Sequence, residues 1–144
     1  IVVEYGGTLD KFMGDGMMAF FGAPAAMEGH ETKAVAAAWK MRAALAKLNA
    51  DFRLQSPVRI RYGINSGPVV VGDIGSQQRR DYTVIGDTVN VASRLEGLSQ
   101  PDEVVVGQPT WEIARSEFEF EPMEPVQVKN RQEPVHPYRV LGPR

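Results

Sequence analysis

The sequence predicts an α+β domain in which helices pack on a mostly antiparallel sheet. Three observations carry that expectation. An Asp-Gly turn separates two apolar runs near the N-terminus, helical periodicities alternate with short Val- and Ile-rich stretches, and the chain ends in aromatic and β-branched segments. Thr8 to Met13 and Met17 to Gly22 flank Gly14-Asp15-Gly16, and both central residues of such a turn take positive φ readily, so a tight hairpin with Asp15 at its tip is expected. From Gly29 to Ala50 the apolar positions Val35, Ala38, Met41, Leu45 and Leu48, followed by Phe52, recur every three or four residues, with Lys40, Arg42 and Lys47 on other faces. That spacing predicts an amphipathic helix. Val58 to Ser66 and Pro68 to Gly72, joined by Gly67-Pro68, read as two strands at the centre of the sheet.

Asp81 to Ile85 is a short extended piece. After it, Val89, Ala92 and Leu95, with Val91 and Leu98 alongside, predict a helix that Asp87 or Thr88 would cap by accepting from the free N–H groups of its first turn. Glu103 to Val106 reads as a strand and Pro109 to Ala114 as a helix with proline at its start. Phe118-Glu119-Phe120, Val126 to Lys129 and Tyr138 to Leu141 supply the closing strands.

Composition narrows the function. The 144 residues hold 43% hydrophobic and 24% charged side chains, which is ordinary globular usage, and residues 1–144 read as one domain with no internal repeat or linker. With 16 Lys and Arg against 18 Asp and Glu the formal charge is −2, so there is no positive field to attract a phosphate backbone, and nucleic acid is not an expected partner. The absence of Cys removes disulfides, thiol nucleophiles and thiolate metal sites, and makes a cytoplasmic location the default expectation. The longest nearly apolar run, Met17 to Met27, is broken by Gly22 and Pro24, so no membrane contact is expected from this segment. Because the chain starts at Ile1 with no signal-like segment, it reads as part of a longer polypeptide.

Several residues could carry chemistry, each with a plainer alternative. Asp15 could serve only the turn, since Asp tolerates the left-handed region, or it could aim an oxygen ligand at a hard cation. Lys11, on the face of Leu9 and Met13 by strand alternation, is either an edge lysine or one inside a pocket. Asn90 and Arg94 stand four apart on one helix face. They are either capping and solvated groups or an amide and a guanidinium that converge on an anionic ligand.

Taken together and in order, Lys11-Phe-Met-Gly-Asp15, Arg61-Tyr-Gly-Ile-Asn-Ser-Gly67, Val71-Gly-Asp-Ile-Gly75 and Asp81-Tyr-Thr-Val-Ile-Gly-Asp-Thr-Val-Asn-Val-Ala-Ser-Arg-Leu-Glu96 resemble the catalytic domain of class III nucleotidyl cyclases, of the bacterial adenylyl cyclase type. The likeness runs from about Gly6 to about Leu141, and four ordered motifs are far more specific than one. The resemblance implies a ferredoxin-like, palm-type fold and conversion of ATP to 3′,5′-cyclic AMP and pyrophosphate in cyclic-nucleotide signalling. It also implies Mg2+ or Mn2+, two per site in the complete domain, and a homodimer with active sites at its interface. By residue, it implies that Asp15 binds metal, that Lys11 and Thr83 read the purine, that Asn90 orients the ribose and that Arg94 stabilises the transition state. Arg61 would support the phosphate region and Lys129 would grip the triphosphate, although the family usually has Gly where Asn130 stands. A lysine offers only donors, which suits adenine N1, and Thr83 can accept from the 6-amino group, so ATP is expected over GTP.

The family's first metal aspartate belongs to a strand that would precede Ile1, and Ile1 to Tyr5 would be the tail of its second helix, ended by Gly6-Gly7. The chain by itself is therefore expected to lack that first strand and to turn over little ATP. The competing expectations are a guanylyl cyclase and a catalytically silent relative that binds nucleotide or merely dimerises. Other palm domains such as diguanylate cyclases share the hairpin-tip acid but not the helix of Asn90 and Arg94.

Overall fold

The structure, a computed structural model, describes residues 1–13, 16–23, 25–52, 57–76, 79–128 and 131–144, and for 11–13, 71–76 and 79–84 the backbone alone. Residues 2–6 form a turn ahead of the first strand. The Gly7 amide donates to the Val2 carbonyl and the Gly6 amide to the Val3 carbonyl, both at 2.9 Å, with Gly6 at φ +86°, the paired bonds and left-handed residue that close a helix. The expected hairpin follows, strand β1 (Thr8–Met13) antiparallel to β2 (Gly16–Phe20), with Met13 opposite Gly16. Its ladder shifts register between Leu9 and Lys11, so the alternation that puts Lys11 on the face of Leu9 is interrupted at Asp10.

Helix α1 (His30–Phe52) forms where the periodicity predicts it. Its first half buries Val35, Ala37 and Ala38, whereas Leu48 and Phe52 are 44% and 67% exposed, so the predicted apolar stripe is covered only at its start. The strands β3 (Tyr62–Ile64) and β4 (Val70–Ser76) lie in different sheets, and β3 stands at the edge of its own, contrary to the expectation that both form the centre of one sheet. Instead β4 folds back on β5 (Arg79–Ile85) as a separate two-stranded ribbon, and β3 runs parallel to β6 (Val104–Val106). The connection between β3 and β6 includes helix α2 (Asp87–Leu98), the crossover a parallel pair requires. Helix α3 (Gln108–Ala114) starts with its proline as expected, and β7 (Phe118–Pro122) and β8 (Tyr138–Pro143) complete a four-stranded sheet of order β3-β6-β8-β7. The predicted strand from Val126 is a single bridge between Val126 and Val135, and its end at Lys129 lies outside the described residues.

β6 organises the packing. Val104, Val105 and Val106 are all fully buried, and strand alternation sends them to opposite faces. Val104 and Val106 join Val35 and Ala38 of α1, Ala114 of α3, and Tyr62, Phe118 and Val140. Val105 joins Val91 and Leu95 of α2 on the other side. Each such valine contributes about 1.5–3 kcal/mol of burial. On β3 the same alternation puts Tyr62 and Ile64 toward α1 and leaves Gly63, opposite Val105, beneath α2. A Cβ on Gly63 would fall within 3.0 Å of the Glu96 amide nitrogen and the Ala92 carbonyl oxygen, both backbone atoms. The helix therefore rests directly on the strand.

Gly63→Ala should lower stability by at least about 1–3 kcal/mol, because helix backbone cannot swing aside as a side chain can. In Gly97→Ala, where a Cβ on α2 meets nothing within 4 Å, stability should rise by up to about 1 kcal/mol. Urea titrations of both variants check this, and equal stabilities would show that α2 is free to lift from β3.

Candidate active site

Of the residues singled out from the sequence, Asn90 and Arg94 are the best defined. Both side chains are exposed on α2, one turn apart on the same face, and neither has a side-chain partner among the described residues. The adjoining face carries Val91 and Leu95 into the core, so the helix cannot rotate without exposing them.

The first turn of α2 is tied down by side chains from elsewhere. Its N-cap is Gly86, at φ +143°, with no side-chain cap, so the expected capping by Asp87 or Thr88 does not occur. Gly86 supplies a backbone angle that L side chains rarely adopt, and its carbonyl accepts from the Val89 and Asn90 amides. Thr88 turns away from the helix instead, its Oγ1 donating to the Pro68 carbonyl at 2.8 Å. The Asp87 carboxylate is ion-paired with Arg131. Asn65 Nδ2 donates to the Thr88 carbonyl at 3.2 Å, and Gly107 leaves room beside it, since a Cβ there would meet Asn65 Oδ1.

This gives the segment from Arg61 to Gly67 a structural meaning. Tyr62 and Ile64 face the core of α1, Gly63 seats α2 and Asn65 holds its first turn. Ser66 shares a 2.7 Å hydrogen bond with the buried Thr110, and Gly67 lies against Thr88. Arg61 itself is exposed with no partner among the described residues. It sits at the other end of β3, about 13 Å along the strand from Asn65, beside Asp102 and Glu103, whose backbone bonds go to Ile60 and Tyr62. Within one chain it is not brought together with the first turn of α2.

The remaining candidates are placed by backbone or fall outside the described residues. Lys11 pairs with Met18 in β1, Thr83 pairs with Gly72 in β5, and β1 approaches β5, so the two strands meet. Asp15 and Lys129 lie outside the described residues. Among the described residues no three His, Asp or Glu side chains cluster to hold a metal. A cavity of about 310 Å³ opens between α2 and the 131–136 segment, lined by Asn65, Val91, Gly107, Arg131 and His136 among others. Spacing identified Asn90 and Arg94, but Asn65 and Arg131 escaped it, although Asn65 lies within the Arg61–Gly67 motif.

Comparison with known proteins identifies the family. Residues 8–141 match the family model of the adenylate and guanylate cyclase catalytic domain. The chain belongs to that family, the class III cyclases. It is 33% identical to adenylate cyclase 1 of Rhizobium meliloti over 99% of its length, covering 22% of that protein. With the adenylate cyclase of Anabaena cylindrica the identity is 42% over 67% of the chain and 20% of the relative. The chain thus spans about a fifth of the length of these curated relatives. Among solved structures, the guanylyl cyclase Cya2 superposes with a TM-score of 0.92 at 36% identity, over 99% of this chain and 74% of that one. The adenylyl cyclase CyaB of P. aeruginosa gives 0.91 at 36%, over 99% and 76%. No described helix is long and apolar enough to cross a membrane.

The resolved ionisation shift in the motif belongs to Tyr62. Burial pushes its pKa above 10.0, the charge of Asp102 adds to this and Arg42 opposes it. Its hydroxyl is buried with no hydrogen-bond partner among the described residues. Because the folded state resists ionisation, this contribution is intact below pH 10.0 and is lost as pH rises toward and through the folded pKa. Wild type should therefore lose stability relative to Tyr62→Phe between pH 9 and 11, about the range where tyrosine titrates. Urea midpoints measured in parallel test this, and parallel curves would contradict it.

Proposed function

We propose that the protein is an adenylyl cyclase, converting ATP to 3′,5′-cyclic AMP and pyrophosphate, with each active site shared between two copies of the domain. In this reaction the ribose 3′-oxygen attacks the α-phosphorus in line, the bond from that phosphorus to the bridging oxygen breaks, and the 3′-hydroxyl proton is released. The observation that carries the reading is the exposed pair Asn90 and Arg94 on a helix whose other face is locked into the core. Such a pair can bind ribose oxygen through an amide and developing phosphoryl charge through a planar guanidinium, without moving during the reaction.

Lys11 and Thr83 read adenine on this view, through a donor to N1 and an acceptor for the 6-amino group. Lys129 grips the triphosphate, and the part given to Arg61 is supported by its motif alone. The names of the relatives from R. meliloti and A. cylindrica favour ATP, while the equal likeness to a guanylyl and an adenylyl cyclase leaves the choice of base to these side chains. Among the chain's own groups Asp15 would hold Mg2+ or Mn2+. A carboxylate joined by substrate phosphate oxygens is the donor set a hard cation takes, in keeping with a sequence that has no thiol to offer. When bound, such cations favour loss of the 3′-hydroxyl proton and offset the charge of the departing pyrophosphate. A second copy is supported by the β4–β5 ribbon, where the cross-strand pair Val70 and Ile85 is 70% and 52% exposed and leaves apolar surface for a partner to cover.

In the full-length protein, Asp15→Asn should remove Mn2+-supported cyclisation by at least about a hundredfold while the melting temperature holds, and retained turnover would take Asp15 out of the metal role. Lys11→Glu combined with Thr83→Cys should shift the ratio of ATP to GTP turnover toward GTP by about tenfold or more. An unchanged ratio would refute the assignment of the purine-reading pair, and a wild type that prefers GTP would show a guanylyl cyclase instead.

A further inference from the structure

The ion pair between Arg131 and Asp87 joins segments 44 residues apart. The described residues on either side of positions 129–130 brace one another. Val126 and Val135 exchange backbone bonds of 2.9 and 2.8 Å, the Arg131 amide donates to the Val128 carbonyl at 3.2 Å, and Gln127 Nε2 donates to the Arg131 carbonyl at 2.6 Å. Val128 and Val135 anchor the base of the loop on Val91 and Leu95. Nearer the start of α2, the cavity of about 310 Å³ intervenes between Arg131 and Val91, so close packing does not fix the loop there. The guanidinium reaches across to the first-turn carboxylate.

The pair is a poor source of stability. Arg131 keeps its Nε buried with no hydrogen-bond partner among the described residues, and a guanidinium N–H withdrawn from water without an acceptor costs free energy. What the contact does provide is position. Gly86 gives α2 no side-chain cap, Thr88 is committed to Pro68, and Asp87 is the first-turn side chain bound by charge. We infer that Arg131 is a positioning residue: through Asp87 it holds the start of α2 against the 126–135 loop and so sets where Asn90 and Arg94 stand toward the nucleotide. The inference rests on the adenylyl cyclase reading, in which that loop also supplies Lys129.

The test is a double-mutant cycle in the full-length protein. Arg131→Gln and Asp87→Asn should each lower kcat about tenfold, with KM for ATP within about threefold, because a misplaced transition-state group costs rate more than binding. Melting temperatures should stay within about 3 °C of wild type. The double variant should be no slower than the slower single variant, since both substitutions remove the same contact. Losses that multiply, unchanged kcat, or melting temperatures that fall enough to account for the lost rate overturn the inference. Arg94→Ala, assayed alongside, must abolish turnover. If it does and the cycle fails, the positioning role alone is wrong, whereas turnover surviving in Arg94→Ala removes the underlying reading and the inference with it.

Discussion

The close approach of α2 to β3 is the constraint on which the rest of this structure depends. A helix ordinarily stands off a sheet by the depth of two layers of side chains, but at Gly63 the strand offers no side chain and the backbone of Ala92 to Glu96 comes down onto it. That contact removes the helix's freedom to roll. Once Val91 and Leu95 are turned inward, the residues on the outer face are determined by the helical period, and Asn90 and Arg94 are among them. The glycines at 67 and 107 make room for side chains in the same region. Gly67 lets the chain pass against Thr88, and Gly107 leaves room for the Asn65 amide that holds the Thr88 carbonyl.

The two-sided burial of β6 explains why the approach can be so tight. A strand whose alternate valines are covered by α1 and α3 on one face and α2 on the other has no solvent face to relax toward. β3 is its parallel neighbour, so the depth of α2 over Gly63 is set by the packing of Val105 against Val91 and Leu95. The geometry of the exposed face thus follows from apolar contacts beneath it, and no polar network has to create it.

Local patterns were legible in the sequence and distant partners were not. The pairing of β1 with β2, helices α1 and α2, and the turn closed at Gly6-Gly7 each depend on neighbours within a few residues, and each appears where periodicity or turn chemistry puts it. β3 and β4 do not share the centre of one sheet because nearness in sequence does not set nearness in the sheet: β3 finds its partner beyond the β4–β5 ribbon and α2. The cap of α2 failed for a related reason. Asp87 and Thr88 have the right chemistry to cap a helix, but Arg131 and the Pro68 carbonyl, both remote in sequence, compete for them. The spacing of Asn90 and Arg94 is local and was readable, while Asn65 and Arg131 act through contacts formed only when the chain has folded.

The same division bears on how a family with one fold can act on different bases. The four-stranded sheet and α2 form a unit in which a change at Gly63, Val105 or Leu95 disturbs the core directly. The positions assigned to the purine stand outside it, Lys11 on the β1–β2 hairpin and Thr83 on the β4–β5 ribbon, each in a two-stranded sheet of its own. Exchanging residues there alters donors and acceptors without reopening the double core. On the proposed reading, the reaction is therefore tied to a helix packed into the core and the choice of nucleotide to strands outside the four-stranded sheet, which is why overall likeness to a cyclase of either kind carries so little information about the base.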